Sequence, residues 1–500
     1  MKRLLQPGWV LAGLAFCAHI AAGNGYGYFR DELYFIVCGQ HPDWGYVDQP
    51  PLIPLLAAGM YHLFPGSVAM LRLPSAFAHA ATVALAAATA RELGGGWWGQ
   101  FLAALSVLMA GVYLGFGTLV APDTPQPLTW LFCAYALIRL VRGGDRRWWI
   151  ALGIVAGIGF QAKYTVAFWL VALGIGIVAT SARRLLAGPY PYLAAAIALL
   201  IAVPNLIWQA AHDWPFLELA RVTVEHKNIV LSPLSFMLAE AETLNYVTAP
   251  IWLAGLIAFA GWPRLRDLRL FAVAFVLVIA AMIAIHAKPY YPVGAYTVLF
   301  AGGGVAIEAW LPWRAARMAL AAVVVAIGLV GAPFALPILP IERFAAYQRI
   351  LGLAPHSLEA NAVGRLPQYF SDMFGWPELA ALVGRAYRAL PPEDRVKAVF
   401  LGNNYGEAAA VDVLGGGDGP PAVSPHNNYF LWGPRGHDGS VVIRLGGERA
   451  RLLKTYASVE AAGRFDDPWA MPYETGRIVW VCRGRHPPLD AVWASLRKYG

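Results

Sequence analysis

The residues best suited to chemistry in this chain are acids. Asp31 and Glu32 stand side by side after the first long apolar stretch. Asp48 follows in the run Gly45-Tyr46-Val47-Asp48-Gln49-Pro50-Pro51-Leu52, where two prolines restrict the backbone. Asp123 sits in Ala121-Pro122-Asp123-Thr124-Pro125. A carboxylate in a partly desolvated place suits the removal of a proton from a hydroxyl. Isolated cations accompany the acids: Arg72, Lys163 and Lys288. Such cations can offset negative charge that develops in a reaction. Tyr164 and Tyr291 lie near the two lysines in sequence. They add aromatic faces beside those cations.

Each of these residues also has a plainer reading. Asp31 can cap a helix or pair with Arg30, and Asp123 between its prolines can be an N-cap. Lysines at the ends of apolar runs snorkel. Tyrosines there form an interfacial belt. His41, Asp43 and His62 bring metal ligands to mind, but their spacing fits no standard site. No cofactor is expected, and a divalent metal is not favoured. Gly94-Gly95-Gly96 and Gly415-Gly416-Gly417 lack the strand–helix context and spacing of a nucleotide fingerprint.

The elements that must hold these residues are apolar helices. Of the 500 residues, 58% are hydrophobic and 14% charged, with a mean hydropathy of +0.52. Soluble domains are about 45–50% apolar and about 25% charged. Runs long enough to cross about 30 Å of hydrocarbon lie near 8–23, 68–90, 97–117, 125–141, 147–162, 164–181, 189–210, 246–262, 268–286, 292–311 and 316–336. That predicts about eleven transmembrane helices, although 147–181 also reads as one re-entrant element. The first run is expected to be a retained helix rather than a cleaved signal. The stretch 24–66 becomes an outward loop, with 52–64 as a short interfacial helix.

The net charge of +8 is consistent with nucleic acid only until its distribution is read. Lys2, Arg3, Arg91, Arg142, Arg146, Arg147, Arg183, Arg184, Arg264, Arg266, Arg269, Arg314 and Arg317 fall in every second loop. That pattern sets topology and places the N-terminus in the cytoplasm. Nucleic acid is therefore not an expected partner. The acids Asp31, Glu32, Asp43, Asp48, Asp123 and Asp213 then share the opposite face. Acids contribute little to topology, so a reactive site is the natural reason for their clustering.

Beyond about residue 340 the apolar runs shorten and turns appear. Strands are predicted at 396–401, 441–445 and 478–482, and helices at 378–390 and 407–414. The expected organisation is a transmembrane domain over 1–336 and a small α/β extracytoplasmic domain over 337–500. The four cysteines form no CxxC motif. Cys17 and Cys133 read as small buried hydrophobes, and a disulfide between Cys38 and Cys482 is conceivable.

Taken in order, these motifs resemble the GT-C superfamily of protein O-mannosyltransferases and lipid A aminoarabinose transferases. The resemblance rests on the Asp31-Glu32 pair, the Gly-Tyr-x-Asp-x-Pro-Pro-Leu run, Arg72-Leu73-Pro74-Ser75 and Ala121-Pro122-Asp123. It extends to Lys163-Tyr164-Thr165, Lys288-Pro289-Tyr290-Tyr291, Asn404-Tyr405-Gly406-Glu407-Ala408, His426-Asn427-Asn428-Tyr429 and Trp432-Gly433-Pro434. It covers nearly the whole chain, and its ordered set is more specific than any one motif. One departure is Gln49, where some lipid A-modifying members carry Lys before the Pro-Pro-Leu.

The resemblance implies a bacterial inner-membrane enzyme taking a sugar from a polyprenyl-phosphate donor to a lipid, glycan or protein acceptor. It implies Asp31 as general base with Glu32 beside it. Asp48, Arg72, Asp123, Lys163, Tyr164, Lys288 and Tyr291 would bind substrate. A polytopic transporter or flippase of lipid-linked substrates is the alternative reading. It would place polar residues near the midplane with repeated broken helices, and no inverted repeat is visible in the sequence. A scaffold that keeps the fold without activity is a third.

Overall fold

The computed structural model describes residues 6–355 and 361–500, which divide into two compact units. The first comprises Met1–Gly25, Ala69–Trp208 and Asn228–Leu339. It is helical throughout. Each of the predicted apolar runs falls on a helix or a pair of short ones, from Pro7–Ala22 to Arg314–Gly331. Among the described residues, four helices are long and apolar enough to cross a membrane: Leu73–Glu92, Tyr190–Ala211, Val293–Trp310 and Arg314–Phe334. The number rises to seven if each of three bent pairs is one span. Leu199, Leu200, Ile207, Val323, Ile327 and Leu329 are exposed on the Tyr190–Ala211 and Arg314–Gly331 helices. Exposed apolar surface of this kind suits lipid. The stretch 147–181 is two helices, Arg147–Ala162 and Val166–Ala179, broken at Lys163-Tyr164-Thr165.

Small residues let the helices pack closely. A Cβ on Gly303 would stand 1.7 Å from the Ile251 carbonyl oxygen, so only glycine lets the Ala249–Gly261 helix approach there. Loops predicted to share a membrane face come together. Arg139 pairs with Glu92 at 3.3 Å, and Arg264 donates to the Gly94 carbonyl at 2.6 Å. Lys163 likewise meets Asp123, and Gln126 donates to the Tyr291 carbonyl.

The second unit comprises Tyr26–Val68, Gln209–Lys227 and Pro340–Gly500. Its centre is a five-stranded sheet in the order β2-β1-β3-β5-β4. The strands are β1 (Ala398–Leu401), β2 (Ala422–Val423), β3 (Val441–Leu445), β4 (Tyr456–Phe465) and β5 (Arg477–Arg485). β1 runs parallel to β2 and β3, while β5 is antiparallel to β3 and β4. The predicted strands correspond to β1, β3 and β5; β2 and β4 were not anticipated. The predicted helices correspond to Trp376–Arg388 and Tyr405–Leu414.

Two expectations are corrected. Within the stretch read as an outward loop over 24–66, the expected short helix at 52–64 is present as Leu52–Leu63, but a second helix, Arg30–Gln40, was not anticipated. Cys17 is exposed on its helix, not buried, because it points away from the neighbouring helices. Cys133 is buried, and all four cysteines are free, so Cys38 and Cys482 are not paired.

Candidate active site

The helix Arg30–Gln40 presents its first turn as the centre of a polar cluster in the α/β unit. Acids are favoured there by the helix dipole and its unpaired amides. Glu32 is fully buried and accepts the Phe29 N–H at 2.9 Å, which caps the helix. Asp31, on the same turn, keeps 30% of its side chain exposed. Its Oδ1 accepts from the Tyr405 hydroxyl at 2.8 Å and from Arg30 Nε at 3.3 Å. No hydrogen bond or ion pair from the described residues engages Oδ2. One oxygen is therefore tethered and the other has no partner among the described residues.

Arg30 is the hub of this cluster. Its Nη1 donates to the Tyr473 hydroxyl at 2.8 Å and lies 3.5 Å from Asp372 Oδ1. Its guanidinium lies 5.5 Å from the centre of the Tyr405 ring. Asp372 also accepts the Arg30 side chain's charge while its own backbone carbonyl takes the Arg30 N–H at 2.9 Å. Burial pushes the Asp372 carboxyl up to about 7, against the opposing pull of Arg30.

Asp48 belongs to the same unit. It accepts from the Tyr34 hydroxyl at 3.0 Å. Burial pushes its carboxyl up to about 7, and the negative Asp31 adds to the rise. Tyr34 also accepts the Asn428 N–H at 3.2 Å, and its ring packs 4.5 Å from that of Tyr405. Asp31, Glu32 and Asp48 thus lie in one unit, though with different surroundings.

The other expected site residues lie in the helical unit. Lys163 ends the Arg147–Ala162 helix and pairs with Asp123, both side chains being mostly buried. Its ammonium sits 4.1 Å from the Tyr291 ring centre and 5.6 Å from that of Tyr290. Lys288 lies 6.0 Å from the Tyr290 ring. Asp123, Lys163, Lys288 and Tyr291 therefore converge. Tyr164 packs edge-on against Phe160 at 5.3 Å. Arg72 is 2% exposed and donates to the Gly23 carbonyl at 3.4 Å.

His41 Nδ1–H donates to the Val37 carbonyl at 3.0 Å, and its ring stacks on Trp432. Among the described residues, no three or more His, Cys, Asp or Glu side chains gather as a metal site.

Sequence reasoning missed Arg30 as a hub, and it gave no role to Tyr405, Tyr473 or Asp372. Tyr405 lay inside a quoted motif, so its place in the order of motifs was the one available signal. Tyr473 and Asp372 carried none, because their contacts to Arg30 span hundreds of residues.

Residues 48–208 match the family described as dolichyl-phosphate-mannose-protein mannosyltransferase. The lipid A galacturonosyltransferase RgtD of Rhizobium johnstonii is 28% identical over 197 residues. That alignment covers 37% of this chain and 39% of the relative's own length. Among solved structures, ArnT from Cupriavidus metallidurans bound to undecaprenyl phosphate superposes with a TM-score of 0.61 at 14% identity. It covers 95% of this chain and 98% of that one. The arabinofuranosyltransferase AftD from Mycobacteria gives a TM-score of 0.54 at 12% identity, covering 95% of this chain and 40% of that one.

Proposed function

We propose that this chain, a member of the GT-C superfamily, transfers a sugar from a polyprenyl-phosphate donor to a cell-envelope acceptor. The fold shared with ArnT, whose structure holds undecaprenyl phosphate, supports the donor class. The similarity to RgtD supports a lipid acceptor and leaves the sugar open. The charge pattern of the loops supports an N-terminus in the cytoplasm and a reaction on the outer face of a bacterial inner membrane.

One observation carries the reaction. Asp31 is held at Oδ1 by Tyr405 and Arg30 while Oδ2 remains open. A base fixed by one oxygen pays less entropy at the moment of transfer. In this reading Oδ2 takes the proton of the acceptor hydroxyl. The hydroxyl oxygen forms a bond to the anomeric carbon as the bond from that carbon to the phosphate oxygen breaks. The electron pair leaves with the polyprenyl phosphate. A single displacement of this kind inverts the anomeric centre.

Lys163 and Lys288 offset the charge of the phosphate. Asp123 holds the Lys163 ammonium against the Tyr291 ring, which fixes its position. Glu32 sets the start of the helix that carries Asp31. Asp48 fits a neutral or half-ionised partner to a sugar or acceptor hydroxyl at neutral pH.

The test uses purified protein in detergent, a panel of labelled polyprenyl-phosphate sugars and an envelope extract. Transfer of label from one donor to a lipid-extractable product is expected. Absence of transfer from every donor by folded protein would favour a transporter or an inactive scaffold instead.

A further inference from the structure

A pocket of about 270 Å³ opens in the α/β unit, lined in part by Arg30 and Tyr405. Both of these residues also bond Asp31 Oδ1 or stand beside it, so the pocket adjoins the proposed base. Pockets for drug-sized ligands run from about 300 Å³ upward, so this one has room for about one saccharide ring with a substituent.

Its charge is one-sided. Arg30, Lys227, Arg477 and Lys498 line it, against the single acidic side chain Glu407. Glu407 is already engaged, accepting from the Asn403 N–H at 2.8 Å and from Asn403 Nδ2. The amides of the wall are engaged as well. Asn404 Nδ2 donates to Glu474 at 2.8 Å, and Asn403 Oδ1 accepts from Arg444 at 3.1 Å. Arg477 and Lys498 differ, because neither side chain pairs with a carboxylate of the described residues.

His426 stands in the same wall. Its Nδ1 accepts the Tyr405 N–H at 3.3 Å, and burial together with Lys498 and Lys227 holds the imidazole well below its ordinary range. The ring is therefore neutral and adds no charge. The unspent hydrogen-bonding capacity of the pocket is cationic, and a neutral sugar would leave it unused. An anionic substituent would use it fully.

We propose that this pocket is an anion subsite, receiving the phosphate or carboxylate substituent of the acceptor saccharide while the acceptor hydroxyl meets Asp31. The proposal rests on the transferase reading and adds to it the class of acceptor. The acceptor is an acidic saccharide, selected at Arg477 and Lys498.

The experiment measures binding, so it needs no turnover. Full-length protein in detergent is titrated with a phosphorylated glucosamine disaccharide, the same disaccharide without phosphate, and a short oligogalacturonate. The expected result is binding of at least one anionic probe roughly tenfold or more tighter than the uncharged one, weakening as salt is raised. Arg477→Gln with Lys498→Gln should abolish that preference, Arg477→Lys should keep most of it, and Asp31→Asn should leave it intact. Preference for phosphate alone or carboxylate alone assigns the substituent.

Equal binding of charged and uncharged probes overturns the proposal. So does an unchanged preference in a double variant with native circular dichroism. Anion binding without transfer from any donor would keep the subsite and remove the transferase reading. Transfer without anion preference would do the reverse.

Discussion

The Tyr405 hydroxyl donates to Asp31 Oδ1 at 2.8 Å, joining the first residue of the Tyr405–Leu414 helix to the first turn of the Arg30–Gln40 helix. The bond fixes one oxygen of the proposed base and leaves the other for the acceptor. It also makes the reaction depend on a side chain hundreds of residues away in sequence.

Tyr405→Phe keeps the ring that packs on Tyr34 and His426 and removes only the hydroxyl. A hydrogen bond to a charged group contributes about 1.5–3 kcal/mol. Turnover is expected to fall by about tenfold to a hundredfold with little change in KM for either substrate. Steady-state kinetics on the folded variant check this. Unchanged turnover would remove Tyr405 from the positioning of Asp31.

Lys163→Met deletes the cation beside Asp123 and the Tyr291 ring. Donor binding should weaken by about tenfold or more, since truncating one partner of a mostly buried charge pair costs about 2–5 kcal/mol. Lys288→Met should act in the same direction, since its ammonium lies 6.0 Å from the Tyr290 ring centre, beside the same aromatic pair. Equilibrium binding of polyprenyl phosphate separates the two. Normal donor affinity in both variants would contradict phosphate recognition by these lysines.

Glu32→Ala removes the carboxylate that caps the Arg30–Gln40 helix. Loss of an N-terminal cap costs about 0.5–2 kcal/mol. The α/β unit should lose stability by that amount, measured by hydrogen exchange at the amides of this helix. Exchange as slow as in the wild type would show that the cap does not hold the helix start.

Asp48 and Asp372 are each pushed up from 3.8 to about 7 by burial, and Glu474 rises from 4.5 to about 8 through burial and then the nearby Glu407. A carboxyl whose folded value is raised holds its proton in the folded state after the unfolded chain has released it. Its favourable contribution is complete below about pH 4 and is lost as pH rises through about 7. Stability of the α/β unit should therefore decline between pH 5 and pH 8, by about 1.4 kcal/mol per unit of pH for each proton retained. Asp48→Asn and Asp372→Asn should each flatten that slope. Thermal unfolding across the range checks it, and a slope of opposite sign would contradict the burial of these carboxyls.

The apolar helices were legible because membrane thickness imposes a run length that sequence records directly. Asp31 and Lys163 were singled out in the sequence by the motifs that carry them, Asp31 in the stretch after the first apolar run and Lys163 between two such runs. Tyr473 and Asp372 were not legible, since they meet Arg30 only through folding of the α/β unit. β4 was hidden for a different reason. As an edge strand it is largely exposed and rich in Ala, Gly and Glu, so it shows no clean alternation. The helix Arg30–Gln40 was read as loop because it follows an expected span too closely and is short. Its cap is Glu32 itself, which had been assigned to chemistry instead.

The most direct measurement compares wild type and Asp31→Asn in single-turnover transfer from a radiolabelled polyprenyl-phosphate sugar to the envelope acceptor. The amide keeps the shape of the carboxylate and cannot take the proton. The account predicts that label moves with the wild type and that the rate falls by about a hundredfold to ten-thousandfold in the variant, with donor binding unchanged. An Asp31→Asn protein that folds, binds donor and transfers at the wild-type rate would contradict it.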